Sequence, residues 1–145
     1  MTIHRIGGAL IGAIAAAALA ANAAAELRIG YLTTLTGGGA ILGNQQAEGF
    51  KLGLEHEGWT KDGDKLGGVP TKVFYGDDRQ DTDLGLNAAR KLLGDDKVHI
   101  LAGIVWSNVL MAVQKPTIDA KRILLSTNAG ASPMAGAQCS PYFVS

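Results

Sequence analysis

The sequence predicts an α/β fold: a parallel sheet with helices on both faces. Short apolar segments typical of strands alternate with longer amphipathic segments typical of helices. One strand-like segment, VHILAG, is almost continuously apolar, as buried parallel strands tend to be. The alternation indicates βαβ units, whose crossovers are right-handed. With 145 residues, 47% hydrophobic and 18% charged, the chain has enough material for one globular domain with a core.

The first predicted units are a strand after the N-terminal segment, a helix after a glycine-rich turn, and a second strand. ELRIGYLT is predicted as a strand, and a helix is expected from about Asn44 to Glu57. Three apolar side chains at i, i+3 and i+7 spacing define one face of that helix: Ala47, Phe50 and Leu54. KDGDKLGG is predicted as a turn, and TKVFYG as the second strand.

Two further helices and three further strands follow. Asp81 or Thr82 is expected to cap the second helix, which carries an apolar stripe. VHILAG is the third strand, and Ser107 opens a third helix that Pro116 is expected to kink or break. RILLST is the fourth strand, and PYFVS is the start of a fifth.

Residues 1–25 are predicted to be a secretory signal peptide. MTIHR supplies a short positive start, and the apolar run IGGALIGAIAAAALA is too short to span a bilayer comfortably. Two A-x-A cleavage patterns follow, at residues 21–23 and 23–25. Residues 26–145 then form the predicted α/β domain, and a periplasmic location is expected.

Composition argues against several functional classes. Thirteen basic residues balance thirteen acidic ones, so a nucleic-acid partner is not expected. Cys139 is the single cysteine; it is either paired with another chain or buried as a free thiol. His99 is predicted to be a strand residue, and neither a metal site nor a cofactor site is expected.

The stretch TGGGAILG after the first strand does not fit the sequence motifs of nucleotide-binding loops. Gly37 and Gly39 fit the first two positions of G-x-G-x-x-G, but Leu42 stands at the third. The T-G-x-x-x-G-x-G variant fails because Ile41 replaces a glycine, and no Walker ending is present. An exported NAD(P)-dependent oxidoreductase with a degenerate glycine loop remains the alternative from a different class.

Ligands of parallel α/β sheets bind beyond the carboxyl ends of the strands. The segments that follow the predicted strands are TLTGGGAILG, GDDRQDT, GIVWSNV and STNAGASP. Thr36 and Asn128 are candidate ligand contacts because they lie in the first and last of these segments.

The series LRIGYLTTLTGGGAILGNQQAEGFKLG, YGDDRQDTDLGLNAARKLLGDDKVHILAGIVWS and ILLSTNAGASP resembles a known family. It is similar to the first lobe of periplasmic binding proteins of ABC transporters, of the branched-chain amino-acid (Leu/Ile/Val) type, from about Leu27 to Ser145. The resemblance implies a type I periplasmic binding protein fold, no enzymatic activity, and a monomer that delivers a small ligand to a membrane permease. Because the chain covers about a third of a typical member, we expect an incomplete protein without its second lobe. A ligand-sensing receptor with the same fold is a related alternative.

The resemblance also implies ligand contacts. Ser107 matches a serine that holds the ligand carboxylate, and a helix N-terminus suits an anion; the alternative is that it only caps its helix. Ala129 and Ala131 match positions that supply backbone and a threonine hydroxyl to the amino-acid head group. Leu42 replaces an aromatic contact, and Trp106 precedes the serine, where packing is its alternative role. These departures favour a small carboxylate without an α-amino group, such as an aromatic or branched organic acid, over an amino acid.

Overall fold

A computed structural model describes residues 25–145. The predicted signal peptide lies outside this range, apart from Ala25. In residues 25–145 no helix combines the length and apolar character needed to cross a bilayer.

The described residues form one six-stranded sheet with three α-helices. The strands are Leu27–Thr33 (β1), Lys65–Leu66 (β2), Val69–Asp77 (β3), Ile100–Gly103 (β4), Ile123–Ser126 (β5) and Phe143–Val144 (β6). The helices are Ala40–His56 (α1), Thr82–Gly94 (α2) and Ser107–Asp119 (α3), and Ser132–Ala135 forms a short 3₁₀ helix. The strand order is β2-β3-β1-β4-β5-β6. Only β2 pairs antiparallel, with β3; the other neighbours are parallel.

Helices cover both faces of the sheet, as predicted. On one face, α2 and α3 pack against β1, β4 and β5 through a core that includes Leu32, Leu92 and Val113. On the other face, α1 packs against a smaller core in which the Tyr31 ring stacks on Phe50 with 4.1 Å between centroids. The fold class predicted from the alternation is therefore confirmed.

The predicted start of α1 was wrong by four residues. The helix begins at Ala40, because the amides of Leu42 and Gly43 already donate to the Gly39 carbonyl at 3.1 and 3.3 Å. Glycine content made this segment resemble a loop, although Gly39 is the N-cap and only Gly37 has a positive φ, of 88°. The first turn of α1 therefore lies directly beside the strand ends.

Two other local predictions also needed correction. The turn KDGDKLGG contains β2, which pairs antiparallel with the start of β3 across Gly67 and Gly68, both at positive φ. Of the kink or break expected at Pro116, the break does not occur, because α3 continues to Asp119. Since Pro116 lies in the last turn, its missing N–H removes a bond only near the helix end.

The structure also tests the predictions for the cap of α2, the last strand, His99 and Cys139. Asp81, not Thr82, caps α2, and the fifth predicted strand is present as β6. His99 precedes β4 instead of lying in it, and its Nδ1 accepts a hydrogen bond from the Arg28 amide at 3.0 Å. Cys139 is an exposed free thiol, so the expectation of a buried one was wrong.

Candidate ligand-binding site

Four loops meet beyond the carboxyl ends of β1, β3, β4 and β5. Hydrogen bonds join these loops directly: the Thr34 hydroxyl donates to Asp78, and the Trp106 indole donates to Thr34. On the other side, the Ser107 hydroxyl donates to the Gly130 carbonyl at 2.7 Å. The strand order brings the loops together because β1 lies between β3 and β4.

A depression of about 320 Å³ opens at this edge, between the first turns of α1 and the loops after β4 and β5. Its lining comprises two apolar and four uncharged polar residues: Leu42, Val105, Gln45, Gln46, Thr127 and Asn128. Two of the sequence candidates, Leu42 and Asn128, are among them. Leu42 is 50% exposed, so its side chain is available to an apolar ligand surface.

Sequence reasoning missed Gln45, Gln46, Val105 and Thr127. Gln46 bridges strand and loop: its Oε1 accepts from the Thr33 hydroxyl at 2.8 Å, and its Nε2 donates to the Thr127 hydroxyl at 2.7 Å. Both glutamines follow Leu42 at i+3 and i+4, which places them on its side of the helix. A correct start for α1 would have identified them.

Ser107 is the first residue of α3, and Trp106 is the N-cap. The Ser107 hydroxyl does not cap the helix, because it donates to Gly130 in the loop after β5. The first amides of a helix lack intrahelical acceptors and carry the positive end of its dipole. These amides and the exposed Ser107 hydroxyl form an arrangement that can receive an anion.

The loop after β5 is held by its own backbone. The Ala129 amide donates to the Ile104 carbonyl at 3.1 Å, and the Ala129 carbonyl accepts from the Ser126 hydroxyl. Ala129 is also buried, so its N–H is already used, although a carbonyl oxygen can accept a second bond. Ala131 is half-buried and caps the 3₁₀ helix through its carbonyl.

Trp106 packs against the loop after β1 and is not among the residues that line the depression. Its Nε1 donates to the Thr34 hydroxyl at 2.8 Å. Its ring lies so close to Gly39 that a Cβ there would be 2.6 Å from the indole Cζ2. The indole therefore connects two loops of the site.

Thr36 is exposed, donates its hydroxyl to Asp77, and is not among the residues that line the depression. Partial burial raises the pKa of the Asp77 carboxyl. Hydrogen bonds from the Thr36 hydroxyl and three backbone N–H groups lower this pKa by a larger amount. The net pKa of Asp77 lies below its ordinary value. This carboxylate is thus occupied in fixing the loop after β1.

The glycines of the first loop serve close packing. Besides the contact at Gly39, a Cβ at Gly43 would overlap the Thr34 carbonyl oxygen. Gly43 therefore allows α1 to approach the end of β1, a role that requires no phosphate.

Comparison with known proteins places the chain in a family. Residues 26–145 match the family described as periplasmic binding protein. No curated protein matched the sequence. Among solved structures, an ABC transporter substrate-binding protein from Sphaerobacter thermophilus is 30% identical with a TM-score of 0.73, and the match covers 82% of this chain and 31% of that one.

Two solute-binding proteins of ABC transporters from Rhodopseudomonas palustris are also similar. One, in complex with 3,4-dihydroxybenzoic acid, is 28% identical with a TM-score of 0.72, over 82% of this chain and 31% of that chain. The other, in complex with benzoate, is 29% identical with a TM-score of 0.73, over 82% and 32%. This chain thus spans about a third of the length of these relatives, which are substrate-binding components of ABC transporters. With its sheet order, its site at the strand ends and this match over residues 26–145, the chain belongs to the periplasmic binding protein family.

Proposed function

We propose that this chain is the first lobe of an extracytoplasmic solute-binding protein that captures a small organic carboxylate and delivers it to an ABC transporter permease. In this proposal the protein is exported to the periplasm by its N-terminal segment and acts as a monomer. A second lobe closes over the ligand, which lies against the depression beyond the strand ends.

The N-terminus of α3 beside the depression is the observation that carries this proposal. A carboxylate at this position accepts hydrogen bonds from the first amides of α3 and from the Ser107 hydroxyl. To donate to the ligand, that hydroxyl turns away from the Gly130 carbonyl, to which it donates at 2.7 Å. The exchange of a neutral acceptor for a charged one favours the ligand.

The absence of charge around the depression supports an acid without an α-amino group. None of the residues that line it is acidic, so the lining offers no carboxylate to pair with an ammonium group. Leu42 and Val105 supply apolar surface, while the two glutamines, Thr127 and Asn128 can hydrogen-bond ring hydroxyls. The benzoate and dihydroxybenzoate complexes of the relatives agree with an aromatic acid.

A thermal-shift screen of the full-length protein tests the ligand class. Benzoate and hydroxybenzoates are expected to raise the melting temperature, because a ligand that binds only the folded state stabilises it by mass action. Leucine should have little effect at the same concentration. Stabilisation by leucine but not by any benzoate would reject the aromatic acid, and stabilisation by NAD(P) alone would favour the oxidoreductase.

Titration of Ser107→Ala with the best acid tests the carboxylate position. Loss of a charge-assisted hydrogen bond should weaken binding by about 1–3 kcal/mol, or about 5- to 150-fold. Ser140→Ala is the matched control, since that hydroxyl accepts from the Tyr142 amide elsewhere in the chain. Equal affinity for the wild type and Ser107→Ala would contradict the assignment.

A further inference from the structure

A buried carboxylate lies directly behind the candidate site. Asp78 and Thr34 are both fully buried. The Thr34 hydroxyl donates to Asp78 Oδ1 at 2.5 Å, and the Gln80 amide donates to the same oxygen at 2.9 Å. Within residues 25–145, the other oxygen, Oδ2, has no hydrogen-bond partner.

A buried carboxylate with an unpaired oxygen costs folding free energy, so its remaining contacts indicate why it is present. Burial of a carboxylate is unfavourable unless hydrogen bonds compensate for the lost water, and each unpaired buried polar atom calls for an explanation. The bonds of Oδ1 fix the loop after β3, but a neutral side chain could also accept them. The distinctive consequence of a negative charge here is its effect on the Thr34 hydroxyl.

The hydroxyl of Thr34 connects Asp78 to the ligand side of the lobe. A hydroxyl that donates to a carboxylate becomes a better acceptor, because hydrogen bonds in a chain polarise one another. One of the two acceptor lone pairs of the Thr34 hydroxyl is taken by the Trp106 indole N–H at 2.8 Å. The order of donation is therefore indole to hydroxyl to carboxylate.

Trp106 is also where α3 begins. Its carbonyl accepts the first helical hydrogen bond, from the Leu110 amide at 2.9 Å. Its backbone is extended, with φ −108° and ψ 133°, and the next residue is Ser107. Trp106 makes no side-chain capping bond; its indole is held by the contacts with Thr34 and Gly39 and by packing against the core.

We propose that Asp78, acting through Thr34, is a positioning residue for the ligand site. It holds the Trp106 indole, and through it the first turn of α3, in the orientation that receives the carboxylate. Trp106 consequently acts in binding from behind the site and not by stacking on the ligand. The effect on affinity rests on the proposed function, whereas the effect on the first turn of α3 does not.

The variant Thr34→Val tests the chain of hydrogen bonds, since valine keeps the shape of threonine without its hydroxyl. The protein contains two tryptophans, and each gives one indole N–H signal in an NMR spectrum. Trp59 is an internal control, because its indole donates to the Thr71 carbonyl at 3.0 Å. We expect Thr34→Val to shift the Trp106 indole and Ser107 amide signals, to leave the Trp59 indole signal unchanged, and to weaken benzoate binding about tenfold. Thr34→Ser, which restores the hydroxyl, should reverse these changes.

The outcomes separate this inference from the proposed function. If the Trp106 signal does not move, or if it moves while benzoate affinity stays at the wild-type value, the positioning role is overturned. If the wild type binds no carboxylate, the proposed function fails. A shift of the Ser107 amide signal in Thr34→Val would then support the positioning role, and an unchanged signal would overturn it.

Should Thr34→Val not fold, Asp78→Asn makes the same comparison. It keeps an acceptor for Thr34 but removes the charge, and intermediate changes are expected.

Discussion

Replacing Gly43 with alanine should destabilise the lobe, although the substitution lies in a helix where alanine is normally favoured. A Cβ at this position would overlap the Thr34 carbonyl oxygen and lie 2.5 and 2.8 Å from the Thr34 carbonyl carbon and Cα. Ordinary contacts of this kind begin at 3.4 Å, and all three opposing atoms belong to the backbone. Relief therefore requires α1 to move away from β1 as a unit.

The magnitude follows from two opposing effects. Overpacking in a well-packed region costs about 1–3 kcal/mol and occasionally more, and backbone overlap belongs at the upper end. Alanine in a helix interior gains about 1 kcal/mol over glycine. The net loss in the free energy of unfolding should therefore be about 2 kcal/mol or more.

Urea denaturation of the full chain, followed by circular dichroism, measures this change. Gly49→Ala is the matched control, because it lies on the same helix and its added Cβ would meet nothing within 4 Å. That variant should be more stable than the wild type by about 0.5–1 kcal/mol. If Gly43→Ala were as stable as Gly49→Ala, the close approach of α1 to β1 would be refuted.

Two further predictions concern acidic side chains near the strand ends. Asp81→Ala should lower the free energy of unfolding by about 1 kcal/mol, since the Asp81 carboxylate accepts from two amides of the first turn of α2, both at 2.9 Å. Asp81→Asn keeps an acceptor, so its free energy of unfolding in the same urea titration should fall much less. Asp77 has a pKa below its ordinary value of 3.8, so its contribution to stability is present above about pH 4 and is lost as the pH falls through the lower, folded-state pKa. Asp77→Asn should therefore be less stable than the wild type at pH 7 and should lose less stability on acidification below pH 4; parallel pH dependences of the urea midpoint would contradict this.

The candidate site was only partly predictable from sequence. Asn128 could be identified because it closely follows a strand, and strand ends are recognisable locally, whereas Leu42 was identified through the family resemblance. The contact between Gln46 and Thr127 could not be predicted, since the two residues are 81 positions apart and meet only because β1 and β5 both flank β4. The sequence does not distinguish ligand contact from packing for Trp106, because the Thr34 hydroxyl that its indole contacts is 72 residues away.

By itself, the sequence determined the alternation of strands and helices, the parallel sheet, the edge at which a ligand site is expected, and the family resemblance. These properties depend on hydrophobic period and local turn chemistry, which act over a few residues. Tertiary structure decided which loops touch, why Gly39 and Gly43 must lack side chains, and where the Trp106 indole points. Such contacts depend on strand order and on the approach of α1 to the sheet, and neither is encoded within any one segment.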